Sequence, residues 1–130
     1  MKWFREDRQR PHHRLDAWRY GRDFALVIYQ VTRHFPKEER YTLTAQLRRA
    51  AVSIPSNIAE GAARRTSKDF LRFLYNARGS LEEVDTQLEI ASELDLLSAR
   101  DIELLQKTFD PLSRTLTGLI RAIQRKTDAH

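Results

Sequence analysis

Cysteine is absent from the 130 residues. Without a thiol, a disulfide framework and a thiolate metal site are both excluded. Long apolar runs are missing as well, and no stretch approaches the ~18 residues of a membrane span. Glycine is scarce, at four copies, and there is no Asn-Gly or Asp-Gly pair and no alternating run to support a hairpin. The phosphate loop G-x-x-x-x-G-K-[ST], the dinucleotide fingerprint G-x-G-x-x-G and the zinc-protease pattern H-E-x-x-H do not occur. The opening "MKWFREDRQRPHHR" carries charges where a secretory leader carries an apolar stretch. A cytoplasmic protein without a membrane partner is the expectation.

Histidine offers little for metal chemistry. His12, His13, His34 and His130 are dispersed, and no Glu-x-x-His pair of the di-iron bundle type occurs inside a helical segment. No metal or cofactor is therefore expected. Ser53, Ser56 and Ser80 have no evident base partner, so no catalytic residue is assigned and the chain reads as non-enzymatic.

Charge is present in quantity and is unevenly placed. The chain carries 23 Lys+Arg and 18 Asp+Glu, formally +5. Residues 1–65 hold 14 basic and 7 acidic groups, net +7, whereas residues 66–130 hold 9 and 11, net −2. Glu82, Glu83, Asp85, Glu89, Glu93 and Asp95 form an acidic run with no intervening cation. One part of the surface should attract polyanions and another repel them.

Apolar spacing predicts an all-α, up-down-up-down antiparallel four-helix bundle over residues 14–127, preceded by a flexible basic arm at 1–13. The helices are expected at about 15–34, 38–64, 67–95 and 99–126. The first carries two stripes, Leu15–Trp18–Arg22–Ala25/Leu26–Tyr29 and Ala17–Phe24–Ile28–Val31–Phe35, as in a helix covered on more than one side. Pro36 stops it. The second places Leu43, Leu47, Ala50, Ile54 and Ile58 on one face. The third and fourth start at capping-box spacings, Thr66/Asp69 and Ser98/Asp101. Their apolar positions, Phe70 to Ala91 and Ile102 to Ile123, alternate steps of three and four, a pair of heptad seams.

Pro55 falls inside the second helix, in "SIPSNIAEGAARR". An interior proline lacks its N–H and crowds the carbonyl four residues back, here Ala51, so a kink is expected. Thr42, Gln46, Arg49, Ser53, Ser56, Asn57, Glu60 and Arg64 share a strip roughly opposite the apolar face. Its short hydroxyls and amides suit close packing and hydrogen bonds to freed backbone groups. The competing reading makes Glu60 an acid/base and Asn57 a substrate-positioning group, and requires an open pocket at Pro55. Gly79, in mid-helix, costs about 1 kcal/mol relative to alanine. A close approach by the kinked helix is the expected reason for it.

Arg64, Arg65, Lys68 and Arg72 gather around the turn between the second and third helices, with Tyr75 nearby and Arg48 higher on the second helix. Such a surface could meet phosphates with strong salt dependence and little sequence selectivity. The alternative is that these cations serve ion pairs within an assembly, without nucleic-acid contact.

The segments "IYQVTRHFPKEERYTLTAQLRRAAVSIPSNIAEGAARRTSKDFLRFLYNARGSLEE" (28–83) and "QLEIA" (87–91) together resemble the four-helix bundle proteins of the 23S rRNA-intervening-sequence type. The most specific parts are "QLRRAAVSIPSNIAEG" (46–61) and "FLYNARGSLEE" (73–83). The resemblance covers about residues 15–125, and extends to the accessory proteins of diversity-generating retroelements. It implies a ring-like homopentamer and does not imply an established catalytic activity. Genomic setting and basic surfaces suggest an RNA-related role, and the retroelement relatives bind nucleic acid and a reverse transcriptase. Arg49, Ser53, Pro55, Asn57, Glu60, Gly61, Arg78, Gly79, Ser80 and Glu83 match its signature. The arm lies outside it. The function expected is a homo-oligomeric scaffold binding RNA or other nucleic acid. The alternative is a protein-only adaptor or assembly partner of a nucleic-acid enzyme such as a reverse transcriptase.

Overall fold

A computed structural model describes Trp3 and residues 10–129. Most of the expected arm, residues 1, 2 and 4–9, lies outside the described residues. The protein is a four-helix bundle, all-α among the described residues, with no strand. The helices are α1 (Asp16–Thr32), α2 (Leu43–Ala62), α3 (Ser67–Glu93) and α4 (Ala99–Asp128). Each packs on two others: α1 on α2 and α4, and α3 on α2 and α4.

Local chemistry explains the helix ends. Thr66 caps α3 by accepting from the Asp69 N–H, and Ser98 and Asp101 form a reciprocal capping box at α4. At the end of α3, Asp95 takes a left-handed φ of 59°. The Leu96 N–H bonds the Ala91 carbonyl and the Asp95 N–H the Ser92 carbonyl, a Schellman closure without its usual glycine. Helix α2 begins at Leu43, later than the spacing predicts, because Lys37–Glu39 form a 3-10 turn after Pro36. Its N-terminus has no side-chain cap and no acidic residue in the first turn.

The core is where the periodicity puts it. Ala17, Phe24, Ile28, Val31 and Phe35 of the second α1 stripe are buried, as are Leu43, Leu47, Ala50, Ile54 and Ile58 of α2. Leu74, Ala77, Leu81, Val84 and Ala91 line α3, and Leu105, Leu112, Leu116 and Ile123 line α4. The first α1 stripe is only partly covered. Leu15 and Trp18 pack against the core edge, while Leu26 and Tyr29 are exposed. Pro11–Arg14 form a further 3-10 turn, with the His12 and His13 rings 4.7 and 5.2 Å from Trp18. Among the described residues, no helix is long and apolar enough to cross a membrane.

Gly61 is the close-approach glycine of the bundle. A Cβ there would lie 2.8 Å from both Phe70 Cδ1 and Phe73 Cβ, and 3.2 Å from the Phe70 carbonyl. Gly79 does not have the role expected of it. An added Cβ would meet nothing within 4 Å, so no neighbouring backbone of this chain explains that glycine.

Candidate nucleic-acid interface

The α2–α3 turn is built on an N-cap and a glycine. Gly61 lets α3 come close, and Thr66 caps the start of α3 three residues after Ala63, the C-cap of α2. Arg64, Arg65, Lys68 and Arg72 are all exposed around this turn. Arg64 and Arg72 converge on one ring, with guanidinium carbons 4.6 and 4.5 Å from the Phe73 centroid. Both cations are thereby held by the ring's negative face while staying open to solvent. Arg72 also stands 3.7 Å from Asp69, an exposed pair of little energetic weight. Arg65 and Lys68 have no ion-pair partner among the described residues.

Tyr75 is not a free stacking platform. Its hydroxyl donates to Gln124 Oε1 on α4 at 2.9 Å, and the Arg78 guanidinium lies 4.8 Å from its ring centroid. Arg48 belongs elsewhere. It is sixteen residues, about 24 Å of helix, from Arg64. Its Nε donates to Thr32 Oγ1 at 2.9 Å, Nη2 donates to the Tyr29 carbonyl at 3.5 Å, and its guanidinium lies 4.6 Å from the Tyr29 centroid. The structure therefore brings Arg64, Arg65, Lys68 and Arg72 together and sets Arg48 apart, against α1.

Of the signature residues around Pro55, Ser53 reaches from α2 to α3. Ser53 Oγ bonds the Ala50 carbonyl at 2.7 Å and the Ser80 hydroxyl at 2.5 Å, joining the two helices. Asn57 Nδ2 donates to the Ser53 carbonyl, and Ser56 Oγ to the Val52 carbonyl. These bonds flank the Ala51 carbonyl. Among the described residues no side chain reaches that carbonyl itself, so the strip does not satisfy it directly. Arg49 and Glu60 are exposed, and neither has a recorded side-chain partner among the described residues. Glu83 accepts from Gln87 Nε2 at 3.3 Å.

A groove of about 350 Å³ does open beside Pro55, between α1 and α2, and of the polar strip only Ser56 lines it. Trp18, Leu26, Tyr29, Val52 and Pro55 give it an apolar lining, and neither Asn57 nor Glu60 lines it. Glu60 therefore has no part in this groove. Among the described residues, no three His, Asp or Glu side chains gather as metal ligands.

The spacing of charged residues hid one cluster. Arg33, Lys37, Arg40 and Arg48 surround a single cavity at the α1–α2 end. In the sequence they are separated by up to fifteen positions and interrupted by Glu38 and Glu39, so a local charge count averages them away.

The family model described as 23S rRNA-intervening sequence protein matches residues 13–118. No curated protein matches the chain.

Proposed function

The chain belongs to the 23S rRNA-intervening sequence protein family, and we propose that it is a non-enzymatic, homo-oligomeric helical scaffold that binds RNA or other nucleic acid through the α2–α3 turn. The observation that carries this reading is the set of four exposed cations, Arg64, Arg65, Lys68 and Arg72, of which two are steadied on Phe73. Guanidinium groups held in place yet hydrated can exchange water for phosphate oxygens with little loss of side-chain entropy.

In this reading the bundle runs up-down-up-down, which the short connections and the packing of successive helices support. Pro55 bends α2, because its ring crowds the Ala51 carbonyl. The copies close into a cytoplasmic homopentamer. Support comes from the exposed apolar groove beside Pro55 and from the acidic α3 surface, where Ile90 and Leu94 are also exposed. A ring of more than two copies joins unlike patches, and these two patches are unlike.

Filter binding of single-stranded RNA across a salt series tests nucleic-acid contact. The expected result is binding at low salt that weakens steeply as salt rises. Arg65→Gln with Lys68→Gln should flatten the log–log salt slope by roughly 1.4, at about 0.7 per lost phosphate contact. No binding at low salt, or an unchanged slope, rejects direct contact. The second reading is then favoured: a protein-only adaptor or partner of a nucleic-acid enzyme such as a reverse transcriptase.

A further inference from the structure

At the far end of α2 from the surface just described, a cavity of about 220 Å³ lies between the end of α1 and the start of α2. Its lining holds four cations, Arg33, Lys37, Arg40 and Arg48, and no carboxylate. Glu38 and Glu39 sit on the same turn without lining it, and the Glu39 carboxylate is already engaged by the Thr42 hydroxyl at 2.8 Å. Arg33, Lys37 and Arg40 are exposed and have no ion-pair partner among the described residues.

Arg48 is the preorganised member. Its bonds to Thr32 Oγ1 and the Tyr29 carbonyl, and its position over the Tyr29 ring, fix the plane of the guanidinium. Among the described residues no acceptor meets its Nη1. Thr44 also lines the cavity, at 7% exposure.

The backbone adds positive charge at the same place. Thr42 spends its hydroxyl on Glu39 rather than capping α2, and no acceptor is recorded for the Leu43, Thr44 or Ala45 N–H among the described residues. These are the orphan donors and positive dipole end that favour an anion. The volume is below the ~300–1,000 Å³ of organic-ligand pockets and suits a small oxyanion group.

We propose that this cavity is a phosphate-binding site, which takes the phosphate of a small phosphorylated compound or of a nucleic-acid backbone. Arg48 would hold the oxyanion from a fixed position, and Lys37 and Arg40 would close over it from solvent. The site is separate from the α2–α3 turn and does not depend on that surface.

The test is an NMR titration of the full chain with inorganic phosphate, against sodium chloride at matched ionic strength. Saturable shifts of the Arg48 Nε–H and of the Leu43–Ala45 amides are expected with phosphate and not with chloride. Lys37→Gln with Arg40→Gln, both at exposed positions, should weaken the apparent affinity about tenfold or more. A non-saturating response, a response matched by chloride, or an affinity indifferent to the Lys37/Arg40 change overturns the proposal. Single-stranded RNA then separates the sources. Competition with phosphate at the Arg48 Nε–H assigns a phosphodiester, and an undisturbed phosphate response assigns a small phosphate compound. Arg65→Gln with Lys68→Gln should leave the phosphate response unchanged, so failure of the α2–α3 reading and failure of this one are distinguishable.

Discussion

An added Cβ at Gly61 would press on Phe70 and Phe73 at 2.8 Å, closer than carbon atoms tolerate, and one contact is a Cβ fixed to the α3 backbone. Gly61→Ala should therefore force α2 and α3 apart. We expect a loss of about 1–3 kcal/mol in chemical denaturation, the usual range for overpacking. At Gly79 the same change meets open space within the chain. There the gain in helix propensity, about 1 kcal/mol, is unopposed, and Gly79→Ala should raise the stability of the folded chain. Equal effects at the two positions would contradict the packing described for α2 and α3. The Ser53–Ser80 bond belongs to the same seam, where two small side chains let the helices meet and still satisfy both hydroxyls.

At the scale of the element, the 3-10 turn Pro11–Arg14 is held to α1 by aromatic contacts. His12 lies 4.3 Å from His13 and 4.7 Å from Trp18, and Arg22 stands 5.3 Å from the Trp18 centroid. The Arg19 Nη1 also donates to the His13 carbonyl at 3.1 Å. Burial, then the neighbouring His13 and Arg10, lower the His12 pKa below its ordinary 6.5. The folded state thus prefers neutral His12. Its contribution is complete above pH 6.5 and is lost as pH falls through the lowered folded value. In a Trp3→Phe background, Trp18 emission should stay constant near neutrality and change on mild acidification as the turn leaves the ring. His12→Phe should abolish that acid response, and a response that survives the substitution would exclude His12 as its source.

On the whole-molecule scale, the proposed ring makes a direct demand on mass. Light scattering on a chromatographic peak at micromolar concentration should give five chain masses, and a monomer mass would reject assembly. Charge reversal at Glu89 and Glu93, both exposed beside Ile90 and Leu94, should lower that mass if unlike patches join the copies. Basic surfaces sit at both ends of α2, one around Arg64 and Arg72, the other around Arg33, Lys37, Arg40 and Arg48. In a ring, both would be repeated around the symmetry axis, and repeated weak phosphate contacts gain avidity from a single long polyanion.

The helices, their apolar faces and the caps at Thr66 and Ser98 were legible in the sequence, because spacing and capping act over three or four residues. Heptad steps located the α3 and α4 seams, although Phe70, Leu88, Ile102, Phe109 and Leu119 are only half-buried. Pro55 stands out as a break, and Pro111 also lies inside a helix, α4, where the Thr115 hydroxyl donates to its carbonyl at 2.6 Å. Which α1 stripe entered the core, which glycine met a backbone, and where Arg48 turned were not legible. Those outcomes depend on partners sixteen or more positions away, such as Thr32 for Arg48 and Ser80 for Ser53. The sequence by itself determined the class of fold and the sign of its surfaces, since periodicity and charge are properties of the chain. Only the tertiary structure decided that Arg33, Lys37, Arg40 and Arg48 share one cavity, because it is the packing of α1 on α2 that brings their separated positions together.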